Sequence, residues 1–248
     1  MKIVKTEGII VGETNYSESS KILKVLTKDY GLISVMSKGC RNIKSKLRGV
    51  SNKLTYGTFN FYYKENGISN LISIDVINTL RNIMMDINKI SYVSYILDLT
   101  EQIFKETDLE QANEIYVLLT SIIMKINDGY NEGILTNIYE LKLLDYLGIR
   151  PNIDGCSICG STKNIVTISS SSGGYVCQNC YQDGRIYSSK TIQLIRMLFY
   201  VDVSKITKLE LNDETRKELN EFITEYYDQY SGLYLKSKSF LKNLSKIG

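Results

Sequence analysis

The sequence predicts an α+β fold: a small all-β domain first, then a mostly helical domain interrupted by a short cysteine-bearing module. Three observations carry this. Five short strand signals crowd into residues 1–80. The apolar period then lengthens from two residues to three or four. Four cysteines stand as two Cys-x-x-Cys pairs with 17 residues between them. The expected domains are 1–80, a helical part at 81–150, the cysteine module at 151–186, and 187–248 completing the helical domain.

The strands come first. Ile22–Leu26 and Leu32–Met36 flank Lys28-Asp29-Tyr30-Gly31, a hairpin signal. Thr58–Tyr63 and Ile68–Ile77 flank Glu65-Asn66-Gly67, whose Asn-Gly step suits a tight turn. A strand near Ile3–Val11 completes five. Five strands in so short a span suit a small, closed or nearly closed barrel, with the OB-fold as leading candidate. Strand count alone does not separate it from an SH3-like barrel.

The helices follow. Ile83, Ile87, Ile90, Val93, Ile96, Leu99 and Ile103 recur as on one buried helix face. Ile115, Leu118, Leu119, Ile122, Ile123 and Ile126 repeat the pattern up to Asn127-Asp128-Gly129. A third run, Ile134 to Leu147, is stopped by Gly148 and by Pro151, the only proline in the chain. Beyond the cysteines, Ile192–Phe199 and Asp213–Tyr230 look helical, with Asn212 or Asp213 as N-cap. The tail at 236–248 is basic and is expected to fray.

Cys156, Cys159, Cys177 and Cys180 are expected to hold one structural Zn²⁺. Two residues between cysteines let both sulfurs of one tight turn reach one metal, and two such turns complete a tetrahedron. Ile165–Ile168 and Tyr175-Val176 supply a connecting hairpin, which makes the module zinc-ribbon-like. Gly155 and Gly160 are expected to ease positive-φ turns beside each pair. Two pairs without a strand-to-helix redox pattern argue against a redox dithiol. Four thiolates would leave no open coordination position for catalytic water. The fifth cysteine, Cys40, has no partner within sequence reach.

Charge is distributed unevenly. Residues 1–80 hold 12 basic and 6 acidic side chains; residues 81–149 hold 5 and 11. The excess of cations concentrates at Lys38, Arg41, Lys44, Lys46 and Arg48, a stretch between the third and fourth strands that contains no acid. Long cations on a barrel-rim loop neutralise phosphates and release counterions, so these five are the candidate DNA-binding residues. Tyr56, Phe59, Phe61, Tyr62 and Tyr63 offer base-stacking surfaces, although strand alternation turns some of them inward. The chain has no histidine, which removes Ser-His-Asp and Cys-His catalysis and mixed Cys/His zinc sites. No Walker motif and no two-metal acidic cluster appears, so no enzymatic activity is expected. No apolar stretch is long enough to span a membrane. Residues 1–7 lack the apolar core of a signal peptide. A cytoplasmic, nucleoid-associated protein is expected.

The order of parts resembles one known family. Glu7-Gly8-Ile9-Ile10-Val11 opens the barrel. Ser37-Lys38-Gly39-Cys40-Arg41 runs on through Ser45-Lys46-Leu47-Arg48-Gly49. A helical middle then leads by Leu147-Gly148-Ile149-Arg150-Pro151 into Cys-x-x-Cys-Gly. Across essentially its whole length the chain is similar to the bacterial RecO recombination mediators. The resemblance implies binding of single- and double-stranded DNA and annealing of complementary strands. It implies a contact between RecR and the barrel, and engagement of the acidic C-terminal tail of single-stranded-DNA-binding protein by the helical part. With RecR, such proteins promote loading of RecA onto the coated strand. For the tail, the candidate cations are Arg81, Lys125, Lys142 and Arg196. Two alternatives stay open at this point: a zinc-ribbon factor of transcription or translation, and an OB-fold enzyme acting on nucleic acid.

Overall fold

A computed structural model of the chain describes residues 2–104 and 109–233, together with Ser237 and Leu241. The tail expectation at 236–248 lies outside the described residues, those two positions excepted. The class is α+β, as expected. Two compact units are present, one reaching to Gly129 and the other spanning Tyr130–Tyr234.

The first unit opens with five strands: β1 (Lys2–Asn15), β2 (Lys21–Thr27), β3 (Gly31–Ser37), β4 (Tyr56–Tyr63) and β5 (Ser69–Asn78). They pair in the order β1-β2-β3-β5-β4, and β4 returns to β1, closing a barrel. The long β1 makes this possible. Its first half pairs with β4 and its second half with β2, and it bends through a register shift between Ile10 and Gly12. Closure is completed by a short parallel contact, Val35 with Ser69 and Met36 with Asn70. This strand order is that of the OB-fold rather than the SH3-like barrel. Alternate residues fill the interior: Val4, Ile10, Leu23, Val25, Val35, Phe59, Phe61 and Ile74 form one core.

Helices α1 (Arg81–Met84), α2 (Ile87–Ile103) and α3 (Leu109–Asn127) complete this unit. The periodic run from Ile83 to Ile103 is thus two helices. The Asp86 carboxylate caps the second by accepting from the Asn88 and Lys89 N–H groups, which requires extended backbone at 86. Helix α2 lies against β1. The Glu101 carboxylate lies over Gly12, 2.2 Å from where a Cβ would sit, so a larger residue there would have to turn that side chain away. Helix α3 lies against β2 and β3, and Asn113 donates to the Lys28 carbonyl at 2.8 Å.

The second unit contains α4 (Glu132–Tyr146), β6 (Ile165–Ser169), β7 (Gly174–Cys177), α5 (Ser189–Tyr200) and α6 (Asp213–Tyr230). Asn131 caps α4, and Asn212 caps α6. Helix α4 ends in a Schellman turn: Gly148 adopts φ +68, its N–H reaches the Asp145 carbonyl, and the Ile149 N–H reaches that of Leu144. Helix α4 is buried on nearly all sides. Tyr227 on α6 donates to the Glu140 carbonyl at 2.8 Å, and Asn137 donates to the Asn220 side chain at 2.9 Å.

Helix α5 is joined to α6 at its N-terminus. The buried Glu218 carboxylate accepts from the Ser188 N–H, the Ser188 hydroxyl (2.7 Å) and the Thr191 hydroxyl. Burial alone would raise its pKa. The Thr191 and Ser188 donors outweigh that and hold it below the ordinary glutamate value. Glu218→Ala leaves buried donors unsatisfied and is expected to cost about 2 kcal/mol. Urea unfolding of the full chain, followed through the second unit, reads this directly. A loss under about 0.5 kcal/mol would show that the cap contributes little.

Candidate nucleic-acid interface and metal centre

The β3–β4 connection, residues 38–55, carries all five predicted DNA-binding cations. It is not open coil. Successive turns link the Asn42 N–H to Gly39, Ser45 to Asn42, Arg48 to Ser45, and Ser51 to Leu47. The left-handed Gly39 (φ +65) starts the series. The base is pinned by a buried Ser37–Ser51 hydroxyl pair at 2.8 Å. Lys21 bonds the Ser51 carbonyl, the Asn52 side chain and the Glu13 carboxylate, and Lys53 pairs with Asp98. The loop also joins the β1–β2 turn: Arg41 donates from its backbone to the Ser19 carbonyl and from its guanidinium to that of Ser17, both at 2.9 Å.

Lys38, Arg41, Lys44, Lys46 and Arg48 are all exposed. Among the described residues none of the five forms an ion pair, whereas Lys21, Lys53, Arg150, Arg185 and Arg196 all do. Five cations held together without counter-charges form a surface suited to a polyanion. The strand aromatics are divided by the pleat. Phe59 and Phe61 are fully buried, Tyr63 packs on Tyr30 at 4.8 Å between ring centroids, and Tyr56 is half-buried. Tyr62 alone is open. Tyr16 in the β1–β2 turn, outside the expected stacking set, is 62% exposed. A lone aromatic in a serine-rich connection between strands is the signal that could have found it.

In the second unit the four cysteines of the two pairs converge, and their sulfurs all lie within 4.8 Å of one another. The Cys159 and Cys177 sulfurs are 3.6 Å apart. A tetrahedron with Zn–S bonds of about 2.3 Å has sulfur–sulfur edges of about 3.8 Å, so the cluster has the dimensions to hold a metal ion. Each pair sits in a tight turn, with Gly160 N–H bonded to the Cys156 carbonyl at 2.8 Å and Tyr181 N–H to that of Cys177 at 2.9 Å. Gly160 takes φ +75 as expected. Gly155 serves differently: a Cβ there would lie 2.8 Å from the Gly160 carbonyl oxygen. Burial disfavours charge on Cys156, yet the Cys177 N–H and its neighbours outweigh it and lower its pKa to about 6. Cys180, hydrogen-bonded to Cys159 and the other sulfurs, is pushed up to about 12. Cys40 is buried in the first unit, remote in sequence from these four cysteines.

The four candidate tail-binding cations are scattered. Arg81 and Lys125 belong to α1 and α3 of the first unit. Lys142 is half-buried, donates to the Phe199 carbonyl at 3.0 Å, and has its pKa lowered by desolvation. Arg196 borders an apolar groove, a depression of about 580 Å³ lined by Ile165, Tyr175, Ile192 and Met197. Its guanidinium lies 5.1 Å from the Tyr200 ring centre and pairs with Asp154 at 3.0 Å. Arg150 of the Leu-Gly-x-x-Pro segment pairs with the same carboxylate and lies over Phe199. On the cysteine module, Arg185 is paired with Glu221. No helix among the described residues is long and apolar enough to cross a membrane.

Residues 1–80 match the family model described as "Recombination protein O N terminal", and residues 84–239 match "Recombination protein O C terminal". Curated relatives agree over nearly full length. A DNA repair protein RecO of Listeria monocytogenes is 36% identical over 246 residues, covering 98% of this chain and 95% of that one. The RecO of Halalkalibacterium halodurans is 36% identical over 248 residues (98% and 96%). That of Bacillus pumilus is 31% identical over 249 residues (99% and 96%).

Proposed function

The chain belongs to the RecO family of DNA repair and recombination proteins, and from that premise we propose that it binds DNA backbones through its barrel rim and anneals complementary strands. The observation that carries this is the group of five exposed cations, Lys38, Arg41, Lys44, Lys46 and Arg48, free of ion pairs among the described residues. Annealing needs no covalent chemistry. Two phosphate backbones repel, and mobile lysine and arginine heads on a pinned loop screen that repulsion. Contacts to phosphate carry no sequence information, so the strands remain able to test registers against each other.

In this reading residues 1–80 are the DNA-binding domain. Residues 81–150 and 187–248 form the helical part, of which α1–α3 share a compact unit with the barrel, and 151–186 are an inserted module in which Cys156, Cys159, Cys177 and Cys180 hold one structural Zn²⁺. Zinc would supply folding energy only, because four thiolates saturate it. The protein acts in the cytoplasm on the nucleoid, on both single- and double-stranded DNA. It catalyses no reaction. It works with RecR at the barrel, and with RecR promotes RecA loading on strands coated by single-stranded-DNA-binding protein. The groove beside Arg196 has the chemistry for that protein's acidic C-terminal tail: apolar walls for side chains and a cation at the rim for a carboxylate. No observation favours a factor of transcription or translation, or an enzyme.

Two complementary oligonucleotides, mixed with the protein in the presence and absence of single-stranded-DNA-binding protein, test the reading. Faster annealing at low salt is the expected result. Complementary strands left unbound and unpaired by metal-replete protein would overturn it. In parallel, Arg196→Glu is expected to weaken capture of an acidic tail peptide about tenfold or more, while annealing of bare strands is unchanged. Undiminished capture would place the tail elsewhere.

A further inference from the structure

Cations alone would make the rim indifferent to bases, yet the rim also exposes two large apolar side chains. Ile43 is 85% exposed, the most open large hydrophobic residue described. It follows Asn42 in the turn closed by the Ser45 N–H on the Asn42 carbonyl at 3.0 Å, so it sits at a tip. Arg41 precedes that turn, and Lys44 lies within it. Tyr16, 62% exposed, stands on the neighbouring β1–β2 turn, closed by the Tyr16 N–H on the Ser20 carbonyl at 3.1 Å. The two turns are one structure, because Arg41 bonds the Ser17 and Ser19 carbonyls and the Gly39 N–H bonds the Ser20 hydroxyl. Neither side chain contributes to the barrel core. Exposing them costs hydration free energy that a purely ionic surface would not need to spend. Glu18 is the one acid in these two connections.

We infer that Tyr16 and Ile43 contact nucleobases, Tyr16 as a stacking platform and Ile43 as a wedge between adjacent bases, so that the rim grips single strands by bases as well as phosphates. The inference rests on the rim being the DNA site and adds the ligand's second chemical class, an unstacked base. Aromatic stacking is tolerant of sequence, because every base has a π-face. Aliphatic side chains insert between base steps where a protein separates them. Both contacts require bases that are not paired into a duplex. A strand held this way keeps its bases apart from one another until a complement competes for them.

The test compares full-length wild type, Tyr16→Phe, and a Tyr16→Ala/Ile43→Ser double variant. The probes are fluorescein-labelled dT20 and a 20-mer of abasic sugar-phosphate at several salt concentrations. Wild type is expected to bind dT20 about fivefold or more tighter than the abasic strand, from the usual cost of losing one stacked base. Tyr16→Phe should retain the preference. The double variant should bind the two probes equally, with the salt slope of wild type. Equal binding of both probes by wild type, or an equal loss on both in the double variant, overturns the base contact while leaving the phosphate reading intact. Failure of wild type to bind either probe at low salt overturns both.

Discussion

Replacing Lys38, Arg41, Lys44, Lys46 and Arg48 together by alanine is expected to remove nearly all salt-dependent DNA binding. Each phosphate neutralised on a single strand contributes about −0.7 to the slope of log affinity against log salt. Four or five contacts therefore give a slope of about −3 to −3.5 in wild type, or roughly a hundredfold weakening for a fourfold rise in salt. The five side chains are exposed and none is ion-paired among the described residues, so their loss leaves the barrel core and the pinned loop base in place. The slope should fall close to zero, and annealing should fall with it. Single changes are smaller: Lys44→Ala should flatten the slope by a few tenths to about one unit. Arg41 has a second role, since its guanidinium also bonds Ser17. Arg41→Lys should therefore keep most of the slope while loosening the tie between the two turns. Fluorescence anisotropy across a salt series measures all of these, and a wild-type slope in the fivefold variant would exclude the loop as the main contact.

Cys177→Ser is expected to abolish metal binding and unfold the second unit locally. Cys177 is buried, ends β7 and stands opposite Ile165 in the hairpin. A structural zinc site contributes apparent binding energy of about 10–16 kcal/mol to folding, comparable to or larger than the whole stability of an ordinary domain. The hairpin it closes is short, and it is tied to α5 by the Tyr175 hydroxyl on the Ile192 carbonyl at 2.8 Å. Loss of the clamp should therefore reach α5. Metal analysis should fall from one zinc per chain to none, and limited proteolysis should open residues 151–200 before residues 2–80. Cys40→Ser should keep full zinc, because Cys40 lies buried in the other unit. A soluble Cys177→Ser protein with full zinc content would overturn the four-sulfur assignment.

Much of the architecture is local and therefore visible in the chain. Alternation of Phe59 and Phe61 with polar neighbours, the Asn66-Gly67 step, and glycine at 148 each encode a conformation within a few residues. The two Cys-x-x-Cys turns do the same. Other features depend on partners distant in sequence. Glu218 caps a helix starting 29 positions earlier because α5 and α6 pack together. Asp86 is a residue type favoured at N-caps, but the isoleucine period continues across it and masks the helix boundary.

The sequence by itself determined the α+β class, the five strands, the convergence of four thiols and the concentration of positive charge between β3 and β4, because each is a matter of spacing and side-chain type. Tertiary structure alone decided which charges stay unpaired and which apolar groups stay wet. Arg196 acquires Asp154 from 42 positions away, Lys142 loses water to Phe199, and Tyr16 joins the cationic loop through Arg41. An ion pair, a desolvation or an exposed ring depends on what the fold brings alongside, and that is a property of three-dimensional proximity, not of order along the chain.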